Sequence, residues 1–207
     1  MANKENFERN GYVIIRNAIS DELRDFVTQY ALFDEMQNFM PESIEAQVPG
    51  THSKYADPAM EVVLLHLHKT MEENTGLKLH PTYSYYRIYQ KDDELKIHTD
   101  RPSCEISCTL NFNASEEDLS WPIFIEGNSV NLNPGDMVIY RGCDLQHWRE
   151  PFQCKETDWQ IQGFFHYVNA DGPHTDWKYD RRNTIGESDN RFKKVLLPQK
   201  PYITYGN

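Results

Sequence analysis

Apolar residues recur at helical spacing in two N-terminal stretches and at strand spacing through most of the remaining chain. Gly11 punctuates the start, and Tyr12-Val13-Ile14-Ile15 reads as a short apolar strand. Ser20 then stands where an N-cap belongs, with Asp21 and Glu22 in the first turn, where the helix dipole favours acids. Leu23, Phe26, Val27 and Tyr30 follow at helical spacing, which predicts a helix over about 20–38. Asp57-Pro58 supplies an N-cap and a first-turn proline for a second helix. Met60, Val63, Leu64, Leu67 and Met71 form its apolar stripe, and Gly76 is its stop. His66 and His68 ride on that helix as incidental residues. Between the helices, residues 41–58 hold three prolines and Gly50, which predicts an irregular loop of the kind that serves as a lid or binding loop. His52 in this loop is expected at the surface.

From Pro81 the helical period disappears. Short runs separated by turn signals predict strands over about 82–90, 94–99, 104–112, 121–126, 129–132, 136–141, 145–149 and 159–168. Asp92-Asp93, Gly127-Asn128 and Pro134-Gly135 mark turns. The reading is mainly β with flanking helices. Eight strands match a jelly roll of two facing sheets, with helices packed on the larger one. One domain over 1–207 is expected: a helical part over about 1–80, a jelly-roll core over about 81–170 and a C-terminal extension over about 171–207.

Composition narrows the function classes. The net charge of −11 would repel a polyphosphate backbone, so no nucleic-acid partner is expected. Lys178, Arg181, Arg182, Arg191, Lys193 and Lys194 form a basic run near the C-terminus, read as a solvated surface. No apolar run is long enough to span a membrane, and Met1–Arg9 is polar with no apolar signal core. A cytoplasmic location follows as the expectation. Cys104, Cys108, Cys143 and Cys154 lack metal or redox spacing and are read as free thiols.

Candidate chemistry lies in Leu95-Lys96-Ile97-His98-Thr99-Asp100-Arg101. Residues i and i+2 of a strand point to one face, so His98 and Asp100 would leave the second core strand side by side. His147, on the seventh strand, is the proposed third ligand. Two histidines and a carboxylate with the opposite positions open form the facial triad of non-haem Fe(II) oxygenases.

These segments resemble a known family. The runs YQKDDELKIHTD from Tyr89 to Asp100, CEISCTLNF, PGDMVIY and LQHWREP, with GYVIIRN before the first helix, are similar to the 2-oxoglutarate-dependent Fe(II) dioxygenases. The prolyl 4-hydroxylase-like branch is the most similar. The resemblance spans roughly residues 7–170 and implies the double-stranded β-helix form of the jelly roll. It implies Fe(II) on His98, Asp100 and His147, with 2-oxoglutarate and O2 as cosubstrates. Oxidative decarboxylation would be coupled to hydroxylation of an amino acid, a peptidyl residue or a small metabolite. Tyr89 matches the family tyrosine that touches the cosubstrate.

The chain departs from the family where an Arg or Lys normally follows the second histidine and pairs with the distal carboxylate of 2-oxoglutarate. Glu156 to Phe164 contains neither. Gln160 and Gln162 fall there on alternate positions and can hydrogen-bond a carboxylate without neutralising it. A cation must come from elsewhere, and Arg87, Arg101, Arg149 and Lys155 are the candidates. Arg87, on the strand face of Tyr85 and Tyr89, is the preferred anchor, with structural pairing to Glu105 as the bland reading. Arg149 shares a face with His147 and suits a cosubstrate or substrate carboxylate, Arg101 suits a partner that fixes a ligand, and Lys155 is expected in solvent. His166 is expected in the core or pocket rather than as a ligand, and His80 and His174 have no metal spacing. Two competing readings remain: a cupin-like isomerase or hydrolase using Zn or Mn, and a barrel that binds without catalysis.

Overall fold

The computed structural model describes residues 2–38, 47–116 and 118–186. Helix α1 spans Ala2–Asn10, β1 Tyr12–Ile15, α2 Asp21–Asn38, β2 His52–Tyr55 and α3 Pro58–Thr75. Eight further strands follow: β3 Leu79–Gln90, β4 Leu95–His98, β5 Ile106–Ala114, β6 Ile123–Ile125, β7 Asn128–Val130, β8 Met137–Arg141, β9 His147–Arg149 and β10 Trp159–Asn169. They form a larger sheet in the order β1-β8-β5-β10-β3-β2 and a smaller one in the order β4-β9-β6-β7. Every pairing is antiparallel. The eight strands expected after Pro81 are all present, and β1 and β2 extend the larger sheet at its two edges.

Helix α3 begins and ends for the reasons legible in the sequence. Asp57 Oδ1 accepts from the amides of Ala59 and Met60, at 3.0 and 3.3 Å. Gly76 adopts φ 73°, a left-handed conformation that costs glycine little, and its amide donates to Glu72 O. Met60, Leu64, Leu67 and Met71 are fully buried. Each such side chain contributes roughly 1.5–3 kcal/mol by leaving water.

The larger sheet has two chemically different faces. Cys108, Leu110 and Phe112 of β5, Ile161 and Phe165 of β10, and Tyr86 and Ile88 of β3 join Val27, Ala31, Leu64 and Leu67 in one core beneath α2 and α3. The alternate positions face the barrel interior and are mostly polar: Ser107, Thr109 and Asn111 of β5, Gln160, Gln162 and His166 of β10, and Arg87 of β3, all buried. Strand periodicity thus hands apolar residues to the helices and polar residues to the interior.

Two elements differ from expectation. Residues 2–10 form a helix although the segment is polar, because Phe7 enters the core and Asn3 bonds Asn74 of α3. Residues 52–55 pair as β2 with β3 instead of looping. His52 is therefore buried rather than on the surface, with Nε2 2.8 Å from Asp34 Oδ2 and 3.1 Å from the Tyr86 hydroxyl. Residues 41–46 of the expected 41–58 loop lie outside the described residues.

After β10 the chain turns back across β3 through a 3₁₀ segment, Thr175–Arg181. Asp180 holds Arg101 through two bonds of 2.9 Å and accepts from the Tyr55 hydroxyl. Arg182 pairs with the buried Glu61 at 3.1 Å, and Arg181 with Asp176 at 2.7 Å. Lys178 and Arg181 are exposed as expected, Arg182 is instead drawn inward to a buried carboxylate, and Arg191, Lys193 and Lys194 lie outside the described residues. No helix among the described residues is long and apolar enough to cross a membrane. All four cysteines are free thiols.

Candidate active site

The strand pairing of the smaller sheet sets His98 opposite His147 on adjacent antiparallel strands, which puts both rings on one face. Their centroids are 4.3 Å apart. Asp100 lies two residues past His98, just beyond the end of β4, and its amide donates to Gly142 O at 2.8 Å. That bond, rather than strand pairing, brings the carboxylate back to the histidines. Asp100 Oδ1 is 3.7 Å from His98 Nε2 and 3.6 Å from His147 Nε2. Ligand atoms at right angles around a metal with bonds of about 2.1 Å stand about 3 Å apart, so a small inward movement completes a facial set.

The hydrogen bonds fix which ring nitrogens face inward. His98 Nδ1 lies 2.8 Å from Lys96 O, and His147 Nδ1 lies 2.9 Å from Leu145 O. A carbonyl only accepts, so each Nδ1 carries the proton and each Nε2 presents its lone pair to the shared centre. Burial pushes the His147 imidazole below its ordinary pKa against the opposing pull of Asp100, which favours the neutral, metal-binding form. Asp100 Oδ2 accepts from Ser107 Oγ at 3.1 Å, leaving Oδ1 for a metal.

A cavity of about 380 Å³ opens from this centre. Tyr55, Tyr83 and Tyr85 line it together with Arg87, Arg101 and His166. Tyr83 is packed between Tyr55 and His166, with ring centroids at 4.9 and 4.5 Å, and Arg101 lies 4.7 Å over it. His166 is thus a pocket residue. His68 Nε2 donates to Leu79 O at 2.8 Å, outside the cavity lining.

The four candidate cations separate clearly. Lys155 pairs with Glu116 at the surface. Arg101 fixes Asp180 rather than a triad residue. Arg87 donates Nη1 to the Tyr89 hydroxyl at 3.0 Å and lies over the Tyr85 and Tyr89 rings. Its expected structural partner Glu105 instead accepts from the Asn169 amide. Arg149 is fully buried, and its Nη1 donates to Trp121 O. Among the described residues its Nε and Nη2 have no partner, and neither has either amide atom of Gln162. Burial draws the Arg149 guanidinium down to about 10, so it remains charged at neutral pH. Tyr89, Arg149 and Gln162 lie deeper than the cavity wall, at no more than 1% exposure. Buried polar atoms without partners mark places where a ligand or water belongs.

Three site residues were not singled out in the sequence. Ser107 holds Asp100, Trp121 backs Arg149, and Gly142 makes room: a Cβ there would stand 2.4 Å from Asp100 Oδ2 and 2.3 Å from Cys104 O. The run Arg141-Gly142-Cys143 carries only a weak signal, a glycine between a strand and the His147 segment.

No family model and no curated protein matches the chain. Solved structures do. The non-haem α-ketoglutarate-dependent epimerase SnoN from nogalamycin biosynthesis is 10% identical with a TM-score of 0.67, over 82% of each chain. A Pseudomonas putida prolyl-4-hydroxylase is 15% identical with a TM-score of 0.60, over 80% of this chain and 97% of its own. The chain has the fold of the 2-oxoglutarate/Fe(II) oxygenases. A Trichoplax adhaerens prolyl hydroxylase, solved with a hypoxia-inducible factor peptide fragment, is 13% identical with a TM-score of 0.61, over 80% and 86%. SnoN has also been solved with Fe3+, α-ketoglutarate and nogalamycin RO. The polar inner face of the barrel borders a cavity rather than a filled apolar core.

Proposed function

We propose that this protein is a non-haem Fe(II) oxygenase that couples oxidative decarboxylation of 2-oxoglutarate to hydroxylation of a small-molecule or peptidyl substrate. The observation that carries the reading is the convergence of His98 Nε2, Asp100 Oδ1 and His147 Nε2, with both imidazole tautomers fixed by backbone carbonyls. These three groups would hold Fe(II). The bound metal would supply the redox chemistry that activates O2 beside a chelating 2-oxo acid.

The chain's own residues do the rest. Lys96 O and Leu145 O orient the imidazoles, and Ser107 orients the carboxylate. Arg149 is proposed as the anchor for the distal carboxylate, in preference to Arg87. Its charge is buried with no carboxylate partner among the described residues, and two of its nitrogens, Nε and Nη2, have no acceptor there. Gln162, opposite Arg87 on the neighbouring strand, adds donor capacity, and Tyr89 and Arg87 complete the polar lining. The aromatic walls exclude water from the reacting centre.

A buried Arg149 with unsatisfied N–H groups supports the oxygenase reading over a cupin-like hydrolase or isomerase, because it offers an anion a cation that the segment Glu156 to Phe164 lacks. The SnoN complex supports the cofactor assignment, and the Trichoplax complex supports room for a peptidyl substrate. The net charge of −11 supports a partner other than nucleic acid, and the free thiols support a cytoplasmic location. Anaerobic Fe(II) plus 2-oxoglutarate should give a visible charge-transfer band, and air should then yield succinate. A protein that binds Zn(II) but gives neither signal is not an oxygenase.

A further inference from the structure

His166 stands outside the proposed metal set and is not used by it, yet it is held as firmly as the ligands. Its Nδ1 lies 2.8 Å from Ser107 Oγ. The same Oγ lies 3.1 Å from Asp100 Oδ2 and 3.0 Å from Cys104 O. Ser107 has one proton and faces two groups that only accept. If that proton went to His166, the carboxylate and the carbonyl would both face oxygen lone pairs at about hydrogen-bond distance, a repulsive arrangement. The serine proton therefore goes to Asp100 or Cys104 O, and His166 Nδ1–H donates to Ser107. Burial keeps the imidazole neutral at physiological pH, so the other nitrogen, Nε2, carries a lone pair and no proton. His166 lines the cavity, and its Nε2 has no hydrogen-bond partner among the described residues. A tilted contact with the Tyr83 ring, at a centroid distance of 4.5 Å, holds the imidazole in place.

We infer that His166 Nε2 is a fixed hydrogen-bond acceptor for the substrate, so that the site selects molecules presenting a hydroxyl or amide N–H donor to that atom, beside an apolar or aromatic body that packs on the tyrosine walls. The inference rests on the oxygenase reading for the word substrate but not for the tautomer or the binding preference. A polar site rejects an analogue that lacks the matching group because its own atom is left unpaired.

The test uses the full chain loaded with Zn(II) and 2-oxoglutarate, which is diamagnetic and does not turn over. Nitrogen-15 spectra of the imidazoles should show His166 protonated at Nδ1 and bare at Nε2. Benzyl alcohol, but not benzyl methyl ether, should shift the Nε2 resonance, and the alcohol should bind roughly fivefold more tightly, the worth of one hydrogen bond. His166→Gln returns an acceptor oxygen near the Nε2 position and should retain that preference. His166→Asn keeps a donor toward Ser107 without reaching the cavity and should lose it. A proton on Nε2, equal binding of the two probes, or an unchanged preference in His166→Asn overturns the proposal. Absence of succinate from the wild-type Fe(II) protein would instead sink the oxygenase reading while leaving these binding results standing.

Discussion

The guanidinium of Arg149 lies over the indole of Trp121, 4.7 Å from the ring centroid, while its Nη1 donates to the Trp121 carbonyl. This pair holds a full positive charge in the interior with no carboxylate partner among the described residues. The cost of such an arrangement is large unless an anion enters.

Arg149→Met should therefore separate function from folding. Removing an uncompensated buried charge should leave the ligand-free protein as stable as before, or more stable by about 1–4 kcal/mol. The KM for 2-oxoglutarate should rise by about a hundredfold, as expected for truncating one partner of a buried charge pair. Arg87→Ala should raise it much less. Thermal unfolding of the metal-free protein and succinate kinetics check both arms, and a greater rise in Arg87→Ala would return the anchor to that residue.

Gly142→Ala tests the packing behind the metal ligand. The added Cβ has no room beside Asp100 Oδ2 and Cys104 O. Backbone atoms cannot give way cheaply, so the carboxylate must move. Metal affinity measured by calorimetry should fall by about tenfold or more, the usual range for disturbing the partners of a ligand.

Acid stability should report His166. Burial pushes its imidazole down to about 4 from an ordinary value of 6.5. Between those values the unfolded chain binds a proton that the folded protein does not. Stability therefore falls as pH falls through this window, and is fully retained above it. Urea unfolding at pH 7 and pH 4.5 should show wild type losing about 2–3 kcal/mol more than His166→Gln does over the same interval.

Metal linkage gives a test independent of turnover. Zn(II) that binds the folded protein alone must raise its melting temperature, increasingly with concentration. The increase should vanish in His147→Ala and shrink in Asp100→Asn, which keeps the shape but loses the charge. A rise that survives in His147→Ala would place the metal elsewhere.

The primary sequence determined a good deal by local rules. The cap and stripe of α3, the eight strands after Pro81 and the spacing of His98 and Asp100 are short-range features, set by the periods of helix and strand. The polar inner face was written there too, as alternation along Ser107, Thr109 and Asn111. Only the tertiary structure decided which residues meet across long separations. It made residues 52–55 a strand by pairing them with β3, folded a polar N-terminal segment around Phe7, and set His147 against His98. It also buried Arg149 against Trp121 and set Arg87 against the Tyr89 hydroxyl in the cavity wall. The physical reason is that periodicity reports which face a side chain takes, whereas the partner it finds, or fails to find, depends on chain brought in from elsewhere in the fold.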